Sequence, residues 1–400
     1  CLILVGLFFA RKLYRMNLLT IGDYYRQRFG RTAEVLVTLG IVVSYLGWVA
    51  AQIKALGLVF SVVSGGAISA ETGMLIGAAS VLIYTLMGGM WSVAITDFLQ
   101  MIIIVVGMLY IGWEVAGMVG GTGAVISHAA AAGKLEFWPA PTTREVLWFI
   151  AAAITMMLGS IPQQDVFQRV MSANSEGAAR KGAVIGGVCY ILFAFVPMFI
   201  VASALIVMPE KAATLLKEDP QKVMPTLVME QMPFVMQVLF FGALLSAIKS
   251  TASATLLAPS VTFTENIWRQ FRPHNSDRQQ LLTMRVTVLV FSLFVLAYAI
   301  YMQGTSIYEM VSGAYQVTLV GAFIPLVFGL YWKRATTQGA IFSIVLGLVT
   351  WVLFLATPAG EAFPAQLAGL VASFVGMLVG SLGPQAIRNA HASHHKLAGT

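Results

Sequence analysis

Two short polar clusters interrupt otherwise apolar stretches of this chain, and their residue types are the ones that could do chemistry. The first is Gly159-Ser160-Ile161-Pro162-Gln163-Gln164-Asp165. Pro162 lacks an N–H and clashes with the preceding turn, so it kinks or opens a helix. Freed carbonyls, the Gln163 and Gln164 amides and the Asp165 carboxylate would then face a cavity, as in mid-membrane sites built from interrupted helices. The plainer reading is a helix end, with Arg169 just beyond it. Asp165 has no obvious local partner in the sequence, which favours the cavity. The second cluster is Ser246-Ala247-Ile248-Lys249-Ser250-Thr251-Ala252-Ser253. Its hydroxyls and exposed carbonyls suit a small hard cation, which prefers oxygen ligands. Helix packing accounts for the same small residues, and on composition alone it is the better account. No GxSxG, GxxxxGK[ST] or HExxH pattern appears, which favours transport over membrane enzymology.

The elements that must position these clusters are membrane spans. Of 400 residues, 58% are hydrophobic and only 10% charged, and the mean hydropathy is +0.83. Soluble domains carry about 25% charged residues, so a soluble globular, disordered or fibrous chain is excluded. The net charge of +7 is no nucleic-acid signal, because Lys and Arg sit in short clusters between apolar runs. Two cysteines, Cys1 and Cys189, exclude a disulfide framework. Cys1 opens within an apolar stretch, so the sequence reads as N-terminally incomplete.

A spanning helix needs about 20 apolar residues. The runs give a partial span at 1–10 and ten full spans near 33–63, 74–90, 93–118, 146–168, 179–208, 232–268, 279–302, 306–331, 338–357 and 365–385. Alternating the loops places seventeen of the 24 Lys and Arg on one side and five on the other. That bias assigns the basic side, with the C-terminal tail 386–400, to the cytoplasm. The tail histidines read as a solvated tail, not a metal site, since no carboxylate or thiolate supports them. The stretches 119–145 and 209–231 become outside loops, the second with a short surface helix. Lys54 and Lys249 fall inside spans, where an ionisable group is costly and usually faces a partner or a water-filled cavity. Asp97, Glu114, Asp165 and Glu265 are the acidic candidates in or near spans.

Several segments resemble one family. Residues 84–92, YTLMGGMWS, followed by VAITDFLQ, resemble the first signature of the sodium:solute symporter family, and residues 329–349, GLYWKRATTQGAIFSIVLGLV, resemble its second. Residues 18–30, LLTIGDYYRQRFG, and 162–173, PQQDVFQRVMSA, look like its cytoplasmic segment before the third core helix and its sixth core helix. The resemblance covers essentially the whole chain. It implies an all-α integral membrane protein with the LeuT-like fold, two inverted five-helix repeats. Residues 1–145 would hold the end of core helix 2 and core helices 3–5, residues 146–331 the second repeat (core helices 6–10), and residues 332–385 two additional helices. The family's first core helix, which supplies half of the main sodium site, is not in the sequence.

On this resemblance the sodium ligands are the Ala247 carbonyl and the Ser250 and Thr251 hydroxyls. Asp97 and Ser253 match a second sodium site or exit path, although Ala254 stands where members with the extra site carry another hydroxyl. Lys249 departs from the family pattern, but at i−1 from Ser250 it points about 100° around the helix. Residues expected to face the substrate cavity are Tyr45, Trp48, Gln52, Gln163, Gln164, Asp165, Ser312 and Gln316, with packing between helices the competing role for the aromatics.

The function expected is a secondary transporter in a bacterial inner membrane. It couples Na+ influx to uptake of a small organic solute, with no cofactor besides the coupling ion and no nucleic-acid partner. An unpaired Asp165 carboxylate at membrane depth calls for a cation. A substrate amine or quaternary ammonium would supply it, as in proline, choline or betaine, with Tyr45 or Trp48 offering a ring face. An ion pair of Asp165 with Lys54 or Lys249 is the competing expectation. A symporter-like module of a signalling protein and a proton-coupled transporter are the alternatives in function.

Overall fold

The computed structural model describes residues 1–87, 90–272 and 276–387. Among these, the regular structure is entirely helical. Most of the expected tail 386–400 lies outside the described residues, as do Gly88 and Gly89 of the first signature. The chain enters through a π-helical turn, Val5–Phe9, that continues as Ala10–Met16. It then forms α1 (Ile21–Phe29), α2 (Arg31–Val63), α3 (Ala70–Met87), α4 (Met90–Met118), α5 (Thr143–Leu158), α6 (Gln164–Met171) and α7 (Glu176–Val207). Beyond these lie α8 (Phe234–Phe263), α9 (Asp277–Tyr301), α10 (Ile307–Thr318), α11 (Ile324–Tyr331), α12 (Thr337–Ala356) and α13 (Ala365–Leu382). The loop 209–231 carries two helices, Pro209–Glu218 and Val223–Gln231, where one was expected. Their apolar side chains Ala212, Val223, Leu227 and Val228 are fully buried.

Among the described residues nine helices are long and apolar enough to cross a membrane. Ten were expected, and the difference is the run 146–168. It is divided into α5, 16 residues, and α6, 8 residues, neither long enough alone. Pro162 cannot donate to the preceding turn, and Gly159 sits where a side chain would collide with the Tyr315 carbonyl, so the chain opens between them. The run 232–268 behaves differently. It is unbroken α-helix from Phe234 to Phe263, with Pro259 inside it, and passes into a π-helical turn, Thr264–Trp268.

α2 is the central pillar and packs against α1, α3, α8, α9 and α10. Small residues permit this. Gly57 lies against the Ala70 carbonyl and Met74, and Gly47 against the Met310 carbonyl. On the face that gathers the arginine-rich loops, α1 acts as a bolt. Thr20 and Asp23 close its N-terminus in a capping box. Tyr24 donates to the Leu326 carbonyl at 3.1 Å, and Tyr25 to that of Ala322 at 2.9 Å. Arg28 donates to the carbonyls of Gly329, Trp332 and Ala335. Burial pushes both phenols well above their ordinary value, so they stay neutral donors. The π turn delivers Asn266, whose amide donates to Asp23 at 2.9 Å and to the fully buried Glu34 at 2.8 Å.

Candidate functional site

The break between α5 and α6 is held open by polar side chains from α2 and α10. Thr318 donates to the Gly159 carbonyl at 2.6 Å. The Gln163 amide donates to Ser44 and Thr318, both at 3.2 Å. Those two hydroxyls already spend their protons on carbonyls, Ser44 on Ile41 and Thr318 on Gly159. They can therefore only accept from Gln163, which fixes the amide with Nε2 toward them. Its Oε1 is buried without a partner among the described residues. Gln164 accepts from the Ile21 N–H at 2.7 Å, and its Nε2 is likewise buried and unpartnered among the described residues.

Asp165 is not the unpaired carboxylate the sequence suggested. Tyr45 donates to its Oδ1 at 2.5 Å, and the Asp165 N–H donates back to the phenol oxygen at 2.9 Å. Arg169, one turn on, reaches Oδ2 at 3.3 Å. The spacing of Arg169 at i+4 was visible in the sequence; the Tyr45 contact, 120 residues away, was not. Neither lysine pairs with it. Lys54 donates to the carbonyls of Gln303 and Thr305 in the loop between α9 and α10. Lys249 stands over the Tyr84 ring, 5.1 Å from its centroid.

Of the other expected cavity residues, Trp48 packs on Tyr315, with ring centroids 5.0 Å apart and planes tilted by 39°. Its indole N–H is buried without a partner among the described residues. Ser44 and Trp48 are one turn apart on α2, and Thr318 and Tyr315 one turn apart on α10. The ring pair and the Gln163 amide therefore form two adjoining layers. Gln316 faces elsewhere and accepts from the Trp351 indole of α12 at 2.9 Å. Gln52 and Ser312 are partly buried and have no hydrogen-bond partner among the described residues. Sequence reading missed Ser44, Tyr315 and Thr318; their one-turn spacings were the available signal.

The second cluster forms a seam of hydroxyls along one face of α8. Ser253 meets Thr85 of α3 at 2.9 Å, Ser250 donates to Asp97 of α4 in a short hydrogen bond, and Ser246 accepts from Gln100 of α4 at 2.6 Å. The steps of three and four residues on α8, against three on α4, are those of facing antiparallel helices. Asp97 thus meets Ser250, whereas Ser253, grouped with Asp97 on the resemblance, meets Thr85; Thr85 and Gln100 were not anticipated. Thr251 has no hydroxyl partner among the described residues, and its carbonyl accepts from Thr255 at 2.8 Å. Because α8 is continuous here, any oxygen offered by Ala247 is the second lone pair of a helix carbonyl. The oxygens are hydroxyls and one carboxylate, with no nitrogen or sulfur ligand, a set that fits a hard monovalent cation. Among the described residues no cluster of His, Cys, Asp and Glu could hold a resident metal.

The sequence profile of the Sodium:solute symporter family matches residues 1–347. The chain belongs to that family. It is 28% identical over 374 residues to the High affinity choline transporter 1 of Homo sapiens, covering 90% of this chain and 62% of that protein. It is 28% identical over 356 residues to the Sodium/proline symporter of Haemophilus influenzae, covering 84% of this chain and 67% of that one. The chain thus spans about three fifths of the length of the choline transporters it matches. A solved structure of a Na+-coupled sialic acid symporter, substrate-bound and outward-open, superposes with a TM-score of 0.77 at 21% identity over 97% of this chain and 82% of that one. The fold is therefore LeuT-like, and this member of the family is an integral membrane protein.

Proposed function

We propose that this protein is a secondary transporter that couples Na+ entry to uptake of a small organic solute, an amino or quaternary-ammonium compound such as proline or choline. The observation that carries the ion assignment is the contact of Ser250 with Asp97 across the α8–α4 seam. It supports a Na+ site on α8, because the carboxylate supplies charge and the hydroxyl a ligand for a dehydrated ion. Ala247, Ser250 and Thr251 form the α8 half of the main site, and Asp97 with Ser253 lies on a second site or exit path.

The solute reading rests on the Trp48–Tyr315 ring pair, the neighbouring Gln163 amide and the choline and proline relatives, no longer on Asp165. An ammonium group over an aromatic face gains about 0.5–2 kcal/mol. Gln163 Oε1 and the Trp48 N–H, both buried and unpartnered, are the acceptor and donor a solute would satisfy. Asp165 belongs to a closure instead. Tyr45–Asp165, Ser44–Gln163 and Ile21–Gln164 clasp the break and α6 to α1 and α2, and these contacts part when that face opens during alternating access. Residues 1–145 belong to a first repeat and 146–331 form a second, and one helix bundle rocks against the other during transport. The arginine-rich face, with the C-terminus, is the cytoplasmic one in a bacterial inner membrane.

The test is uptake of labelled proline and choline by the full-length protein in proteoliposomes, with Na+ replaced by Li+ or K+ and across pH. Na+-stimulated uptake that disappears in Ser250→Ala/Thr251→Ala is expected. Undiminished Na+ stimulation in that double variant, or uptake driven by a proton gradient without Na+, overturns the ion assignment.

A further inference from the structure

A groove of about 500 Å³ opens on the arginine-rich face, between the entry segment and the start of α7, and the transport reading makes no use of it. Its walls include Leu7, Arg11, Glu176, Arg180, Lys181, Val184 and Ile185. They fall into pairs one helical turn apart: Arg11 with Leu7, Arg180 with Val184, Lys181 with Ile185. In each pair the base lies nearer the loops and the apolar residue one turn deeper toward the membrane interior. The groove is therefore layered like an amphiphile, cationic at headgroup level and apolar below.

The two helices cross in close contact beside it. Gly6 lies where a side chain would strike Val184 and the Arg180 carbonyl, which leaves Leu7 and Ile185 exposed on the flank. The charges are unbalanced. Glu176, the one acid lining the groove, is held by Arg11 at 2.6 Å and Arg15 at 2.7 Å. Arg180 and Lys181 are exposed and have no carboxylate partner among the described residues.

We propose that this groove binds an anionic glycerophospholipid, with its phosphate between Arg180 and Lys181 and an acyl chain along Leu7, Val184 and Ile185. The guanidinium and ammonium supply the charge-assisted donors a phosphate takes. The apolar floor selects a lipid over a soluble anion, because a free phosphate would gain nothing from Leu7 and Ile185.

The experiment is native mass spectrometry of the full-length protein with added phosphatidylglycerol or phosphatidylcholine. Preferential retention of phosphatidylglycerol is expected. It should fall about tenfold or more in Arg180→Gln/Lys181→Gln, given the worth of each base near an anionic headgroup. It should persist in the charge-conserving Arg180→Lys/Lys181→Arg, which also guards against a folding defect in the neutral variant. Ile185→Trp, which fills the floor and leaves every charge in place, should lower it too. Arg278→Gln/Arg285→Gln, on α9 of the same face, should leave it unchanged. Wild-type retention in Arg180→Gln/Lys181→Gln or in Ile185→Trp, an equal loss in Arg278→Gln/Arg285→Gln, or displacement of the lipid by millimolar glycerol phosphate would each overturn the site.

Discussion

The stretches 159–165 and 246–253 read alike in the sequence, as polar interruptions of apolar runs, and the structure resolves them in opposite ways. The first opens the backbone, and the second keeps it closed. Gly159 and Pro162 remove a side chain and a donor, so the helix cannot continue and its loose ends are taken up by Thr318 and Tyr45. Ser246, Ser250 and Ser253 remove nothing from the ladder of α8 and present side-chain oxygens at intervals of one turn. One region offers backbone and amide groups that a solute can read and that must move. The other offers a rigid row of oxygens against α3 and α4, suited to an ion.

The contrast can be broken most severely at Asp97. Asp97→Asn removes the negative charge that meets the α8 hydroxyls and should raise the Na+ half-saturation of uptake about thirtyfold, from about 2 kcal/mol for a charge-assisted bond. An unchanged Na+ dependence would show that the seam is packing alone. Pro162→Ala attacks the other region. It lifts a helix penalty of about 3 kcal/mol and favours joining α5 to α6. Uptake should fall about tenfold or more while stabilisation against heat by Na+ survives, and retained uptake would show that the opening is dispensable.

Tyr45→Phe should act more mildly. It removes the phenol from both Asp165 contacts, so a cysteine at Ser160 should label several-fold faster from the arginine-rich face. Labelling at the wild-type rate would remove Asp165 and Tyr45 from the closure. Ser253→Ala should do least. One neutral hydrogen bond to Thr85 is worth about 1 kcal/mol, so the Na+ half-saturation should shift about fivefold at most, and a larger shift would place Ser253 among the ion's own ligands.

Asp165 shows where sequence reading overreached. A carboxylate within an apolar run demands a partner, and that inference held. Its identity did not follow, because Tyr45 lies 120 residues away on another helix and Arg169 was read only as the mark of a helix end. Gln316 shows the complementary error. Its place on the 306–331 span beside Ser312 made it a cavity candidate, yet it is one residue, about 100°, around from Tyr315 and meets Trp351 instead. Lys54 looked buried by position and is held by two loop carbonyls.

By itself the sequence determined what local chemistry determines. Apolar runs of spanning length, the sidedness of Lys and Arg, and the helix break at Gly159 and Pro162 need no knowledge of what lies across the molecule, since hydrocarbon thickness and backbone hydrogen bonding act on each segment separately. The resemblance then set the segments in order. Only the tertiary structure decided which carboxylate was spent and which was poised. Asp165 and Asp97 are both acids in apolar surroundings, and what distinguishes them is which helix faces each one: α2 brings a phenol to the first, α8 a serine hydroxyl to the second. Such pairings span more than a hundred residues, and helix crossings fixed by the close approach of small side chains set them, a geometry no local pattern encodes.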